Sequence, residues 1–143
     1  MLTAALFVAT VLVLASVIVQ IAGLAVLIWI MRRRAKHFAG LAYVLQQLGV
    51  ILAVVMGLFV IHAVQIWLYA VVYLLIGAFE TFETALYFST SSFTTVGYGE
   101  IFMEPPWRIV SAIQSANGFL VLGWSTIFRS EEHTSELQSR MFI

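Results

Sequence analysis

Apolar residues dominate the first thirty positions, from Thr3 to Ile30, with Ser16, Gln20 and Gly23 as the interruptions. A helix needs roughly 20 such residues to cross a hydrocarbon core of about 30 Å, so residues 1–31 are predicted to form a transmembrane helix. A second uncharged run covers Phe38 to Phe79, 42 residues in all. As one straight helix it would be about 63 Å long, roughly twice the core thickness. Two spans, or one span with an interfacial extension, both fit that length. Gln46, Gln47, His62 and Gln65 are its polar marks, and Trp67, Tyr69 and Tyr73 suit an aromatic belt at the interface. A third, amphipathic segment, Ala85 to Thr94, is too short to cross. It leads into "TTVGYGE", Thr94 to Glu100. The helix-stopping pair Pro105-Pro106 then precedes a fourth segment, Trp107 to Phe128, whose 22 residues make about 33 Å of helix.

Charge sharpens this outline. Charged residues are 10% of the chain, against about a quarter in an average soluble domain. None precedes Arg32, and none lies between Lys36 and Glu80. The basic cluster Arg32, Arg33, Arg34 and Lys36 makes residues 32–37 a cytoplasmic connector by the positive-inside rule. Three consecutive loop arginines lack the in-membrane spacing of a voltage sensor. The first run has no basic residues before it and is too long for a signal peptide, which makes it a retained span. Without cysteine, disulfides and thiolate chemistry are excluded. The histidines are scattered, and no nucleophile–base constellation points to an enzyme.

The polar string Arg129 to Ser139, "RSEEHTSELQS", breaks the apolar pattern. It resembles, residue for residue, a translated sequencing-library adapter. Residues 129–143 are therefore expected to be an artefactual tail, with the native continuation missing.

The glycine run carries the candidate chemistry. Backbone carbonyls at membrane depth are tolerated only where they line a wet cavity enclosed by protein. Gly97 and Gly99 alternate with Val96 and Tyr98. Glycine reaches positive φ without steric penalty, so alternate peptides can turn their oxygens toward one axis. Val96 and Tyr98 side chains would then point outward, and the Thr95 hydroxyl would add an oxygen at the inner end. Such a column of neutral oxygens suits a weakly hydrated monovalent cation.

Thr95-Val96-Gly97-Tyr98-Gly99 resembles the selectivity filter of potassium channels. The resemblance extends over about residues 44–128: outer helix, pore helix, filter, inner helix. It implies an all-α integral membrane protein. Three transmembrane helices are expected, with a re-entrant pore helix and filter loop between the last two. The pore domain would be residues 38–128, with an outer helix over 38–79, pore helix and filter over 82–100, and an inner helix over 107–128. Filters of this family are reached from outside, so an odd number of crossings, most economically one, separates Lys36 from Glu80. The N-terminus would lie outside and the C-terminus in the cytoplasm of a bacterial or archaeal plasma membrane. Of the five basic residues before the tail, four fall inside, while Glu80, Glu83, Glu100 and Glu104 fall outside.

A ring of carbonyls needs four strands, so the implied partners are three further copies and the lipid bilayer, with no nucleic acid. K+ is implied as the permeant ion and the sole metal, with no cofactor. Glu80, Glu83 and Glu104 would charge the outer mouth; Glu80 and Glu83 serve equally as a turret or a pore-helix cap. Filter support falls to Glu100, Tyr87, Phe88 and Ser91. Here the sequence departs from the family, which usually has Asp after the filter, a tryptophan pair in the pore helix and sometimes a carboxylate behind it. Tyr87 can still donate a hydrogen bond. Gly118 stands where the family has a gating hinge, and a close-packing glycine reads the same way. Gln114 fits a cavity-lining residue or a structural hydrogen bond, and His62 a pH sensor or a satisfied histidine. A non-conducting membrane subunit that keeps the pore fold is the alternative to a channel.

Overall fold

A computed structural model describes the backbone of residues 1–34 and 41–141. Among the described residues there are four helices: α1 (Leu2–Arg34), α2 (Leu41–Leu75), α3 (Phe82–Phe93) and α4 (Arg108–Met141). Lys36 and His37 of the predicted connector, and the final two residues of the tail, lie outside the described residues. Within the uncharged run a single unbroken helix of 35 residues, α2, fills the space that composition left open to one span or two. Helix α4 starts one residue after Trp107 and runs on to Met141, through a polar string rich in helix formers.

Pairs of contacts fix the helix directions. Ser16 meets Gln65, Gly23 meets Ile61 and Leu27 meets Gly57, so α1 and α2 are antiparallel. Gln114 meets Ser89 and Gly118 meets Phe93, so α3 and α4 run the same way. Ser16 to Asn117 and Gln20 to Ser125 make α1 parallel to α4 as well. Helix α1 packs on both α2 and α4, and α3 on the same two helices. The α2 C-terminus, the α3 N-terminus and the α4 N-terminus therefore share one end of the bundle. Arg32, Arg33 and Arg34, at the C-terminus of α1, lie at the other.

Among the described residues, Leu2–Arg32 and Leu45–Leu75 are long and apolar enough to cross a membrane. The third predicted span, now in α4, is interrupted by Gln114, Asn117 and three serines. Three of those polar groups turn inward, Gln114, Asn117 and Ser125 being buried, while Ser111 and Ser115 are half-buried. Outward-facing positions are instead large and apolar. Phe7 and Phe59 are each 69% exposed, while Ser16, Gln20 and Gln65 are buried. Apolar outside and polar within is the pattern a lipid solvent selects, since bundle-facing polar groups must bond to one another.

The interior has two apolar clusters and one polar seam. Tyr69, Tyr73, Phe88, Met103 and Val110 form the larger cluster with Ala5, Ala9 and Leu12 of α1. Leu24, Leu27, Leu58 and Ile61 form the smaller one. A methyl group at Gly23 would come within 2.5 Å of Ile61 Cγ1, and one at Gly57 within 2.7 Å of Leu27 Cδ1. Each glycine is thus the socket for a branched side chain of the facing helix, the small-residue contact that lets membrane helices approach closely.

Along the seam Ser16 donates to Gln65 (2.6 Å), Gln65 to Gln20 (2.8 Å) and Gln20 to Ser125 (3.1 Å), while Asn117 donates to Ser16 (2.9 Å). Nothing in the sequence joins Ser16, Gln20, Asn117 and Ser125 as a group. Their signal was present as isolated polar residues in apolar spans, Ser16 and Gln20 a turn apart. Tyr69 and Tyr73 are corrected from belt to core: both are fully buried, with hydroxyls bonded to Asn117 (3.4 Å) and Gln114 (2.6 Å). Trp67 alone of the three stays exposed, edge-on to Phe82.

Candidate functional site

Helix α3 begins where a cap allows it. The Thr81 hydroxyl accepts from the Thr84 amide (3.2 Å), with Thr81 in the extended conformation usual for an N-cap. The cap is therefore Thr81 rather than Glu80 or Glu83. Glu83 occupies the first turn, where a carboxylate faces the positive end of the helix dipole. The helix begins at Phe82, the first residue of the expected pore-helix segment, and the amphipathic stretch from Ala85 is its continuation.

At its far end α3 stops at Phe93 and the chain doubles back. The Thr95 amide donates to the Ser92 carbonyl (3.1 Å) and the Gly97 amide to the Ser91 carbonyl (3.3 Å). Ser91 thus supports the loop through its backbone. Positive φ recurs at every second residue: Thr95 (60°), Gly97 (54°) and Gly99 (77°). For the two glycines this costs nothing. For Thr95, β-branched and left-handed, it stores on the order of 1–3 kcal/mol, the kind of strain that collects at functional sites.

All of residues 95–100 are exposed in the single chain. Val96 is 54% and Tyr98 69% exposed, so their expected outward contacts are not supplied by their own chain. Behind the loop is a half-open cleft of roughly 240 Å³. Tyr87, Phe88, Ser91, Tyr98 and Glu100 line it together with Arg108, to which no motif in the sequence points.

The predicted support residues are brought together in part. The Tyr87 hydroxyl donates to Glu100 Oε2 across 3.2 Å, a long bond between exposed groups. Phe88 acts from the core, edge-on to Tyr73 at 5.8 Å and tilted against Phe79 at 4.9 Å. Glu80, Glu83, Glu100 and Glu104 are all exposed. By their places on the helix ends and the loop after residue 99, they share the end of the bundle opposite the α1 arginines.

Deeper in, the α4 side chains answer two open questions. Gln114 is fully buried, bonded to Tyr73 and Ser89, so it is the structural hydrogen bond and does not line a cavity in this chain. Gly118 lies directly against the Phe93 backbone: a methyl there would be 2.8 Å from its carbonyl carbon and closer still to its oxygen. The close-packing role therefore has a physical basis here, in the middle of a continuous helix. His62 is half-buried, its Nε2 3.3 Å from Ser125 Oγ, its ring 6.1 Å from that of Phe93, and its Nδ1 without a hydrogen-bond partner among the described residues.

Comparison with curated proteins and with solved structures returns no match. Residues 59–129, spanning the second half of α2, α3, the glycine loop and the first part of α4, match the family model described as ion channel, which supports an ion-channel family for this chain.

Proposed function

We propose that the chain is one subunit of a potassium-selective channel, conducting K+ passively through a filter formed by residues 95–99 of four identical copies. The observation that carries this reading is the alternation of positive φ at Thr95, Gly97 and Gly99 within Thr-Val-Gly-Tyr-Gly. It lets successive carbonyls address one axis and replace the hydration shell of a monovalent cation. Thr95 and Val96 coordinate at the inner end of the column, and Tyr98 with Gly99 at the outer end.

Two further features support four copies. The exposed Val96 and Tyr98 side chains need neighbours that one chain lacks, and a single strand cannot ring an ion. Four carboxylates per chain around a shared mouth would concentrate cations there. The charge segregation supports an orientation with the glutamates outside and Arg32, Arg33 and Arg34 in the cytoplasm. With α1 and α4 parallel, both run inward, α2 runs outward, and α3 dips in and returns. K+ is the cargo, and no cofactor takes part.

The test is potassium flux, against sodium, into liposomes holding the purified chain, with Gly97→Ala as control. At φ 54° a Cβ is strained even though the space around Gly97 is open. Potassium-selective flux that disappears in the control establishes the reading. Equal potassium and sodium flux, or selective flux that survives Gly97→Ala, refutes it.

A further inference from the structure

We propose that Gln114 is a positioning residue for ion selectivity, acting through Ser89 on the depth and rotation of α3 and hence on the loop that follows it. This rests on the channel reading above and names a determinant outside the filter.

The geometry converges on one turn. The Gln114 side-chain amide donates to Ser89 Oγ (2.8 Å) and approaches the Ser89 carbonyl (3.3 Å). Its own oxygen accepts from Tyr73 (2.6 Å), which leaves the amide no freedom to flip or swing. Ser89 in turn donates to the Ile66 carbonyl of α2 (2.8 Å). Helices α2 and α4 therefore both grip α3 at a single residue, and all three side chains are fully buried. One turn further on, Gly118 abuts Phe93, the last residue of α3. Thr94 and Thr95 follow at once, and the loop amides of Thr95 and Gly97 hang from Ser92 and Ser91.

The opposite end of α3 is held differently. Its Thr81 cap is exposed and bonds within its own first turns. The tie to both neighbours thus falls in the filter-side half of α3, one turn before its last residue. Apolar contacts alone would let a short helix slide or rotate with little penalty, whereas hydrogen bonds lose strength steeply with misalignment. A binding constellation needs its support held to about 0.5 Å, which directional bonds at Ser89 supply. Gln20 is the natural comparison. It is also a buried glutamine with two interhelical bonds, but both bind α1 to α2 and α4, and neither reaches α3.

The experiment compares potassium-over-sodium permeability, from reversal potentials, in the 143-residue chain as wild type, Gln114→Leu and Gln20→Leu. Both substitutions are expected to lower thermal stability. Only Gln114→Leu should lower the permeability ratio, by about tenfold, the factor that loss of one net hydrogen bond supports. An unchanged ratio in Gln114→Leu overturns the proposal. So does an equal fall in Gln20→Leu, because selectivity would then follow general loosening. Should Gln114→Leu fail to assemble, Ser89→Ala takes the same contact from the α3 side, and an unchanged ratio there overturns the proposal in turn. A wild type that does not prefer potassium sinks the channel reading itself, and does so before any variant is measured.

Discussion

Gly118→Ala separates a hinge from a close contact. The added methyl would stand 2.8 Å from the Phe93 carbonyl carbon and 3.0 Å from its Cα, where ordinary contacts begin at 3.4 Å. The obstacle is backbone in the last turn of α3, so no side chain can rotate away. Relief takes at least 0.6 Å of separation between α4 and α3 (3.4 minus 2.8), and more at the carbonyl oxygen. Overpacking of this kind costs about 1–3 kcal/mol, with a backbone obstacle at the upper end. Alanine returns up to about 1 kcal/mol of helix propensity over glycine. The net expectation is a loss of about 1–2 kcal/mol. Reversible unfolding in mixed detergent, followed by circular dichroism, reads that difference directly. Gly49→Ala is the control, since among the described residues a methyl there meets nothing within 4 Å, and it should be neutral or up to about 1 kcal/mol stabilising. A glycine whose only role was to bend α4 would behave like the control. A Gly118→Ala protein as stable as wild type would therefore refute the close-contact argument.

Two other substitutions probe the bonds that hold the bundle. Gln65→Leu removes the acceptor of Ser16 and the donor to Gln20 together; at about 0.6–1.7 kcal/mol per interhelical bond in a membrane, it should lower stability by roughly 1–3 kcal/mol in the same unfolding assay. Tyr87→Phe removes only the bond to Glu100, between exposed groups, so unfolding should be unchanged while potassium current in sustained recordings decays faster than in wild type. Unchanged decay would show that this bond does not hold the loop.

How much of the site was readable in the chain divides by range. Positive φ at Gly97 and Gly99 could be anticipated because it is a property of glycine and its immediate neighbours. Positive φ at Thr95 could not, since nothing local favours it in a β-branched residue; it comes with the reversal that hangs Thr95 and Gly97 from the end of α3. Glu100 and Tyr87 met because thirteen residues of helix and returning loop bring them together. Tyr69 and Tyr73 suit an interfacial belt, as aromatic residues near the end of an apolar run do, and only their partners on α4 reveal them as core.

The sequence by itself determined where the apolar stretches lie, where charge collects, and that residues 95–99 can expose a row of carbonyls. These depend on composition over a window or on the conformational range of single residues. Only the tertiary structure decided which side of each helix faces inward. Helices α1 and α2 are apolar around nearly their whole circumference, so hydrophobic periodicity carries little phase information. That phase is set by a few long-range choices: Ile61 seated on Gly23, Leu27 on Gly57, Gln65 between Ser16 and Gln20, and the Phe93 backbone against Gly118. Each joins residues far apart in the chain, through directional bonds and close backbone approach that a local pattern does not encode.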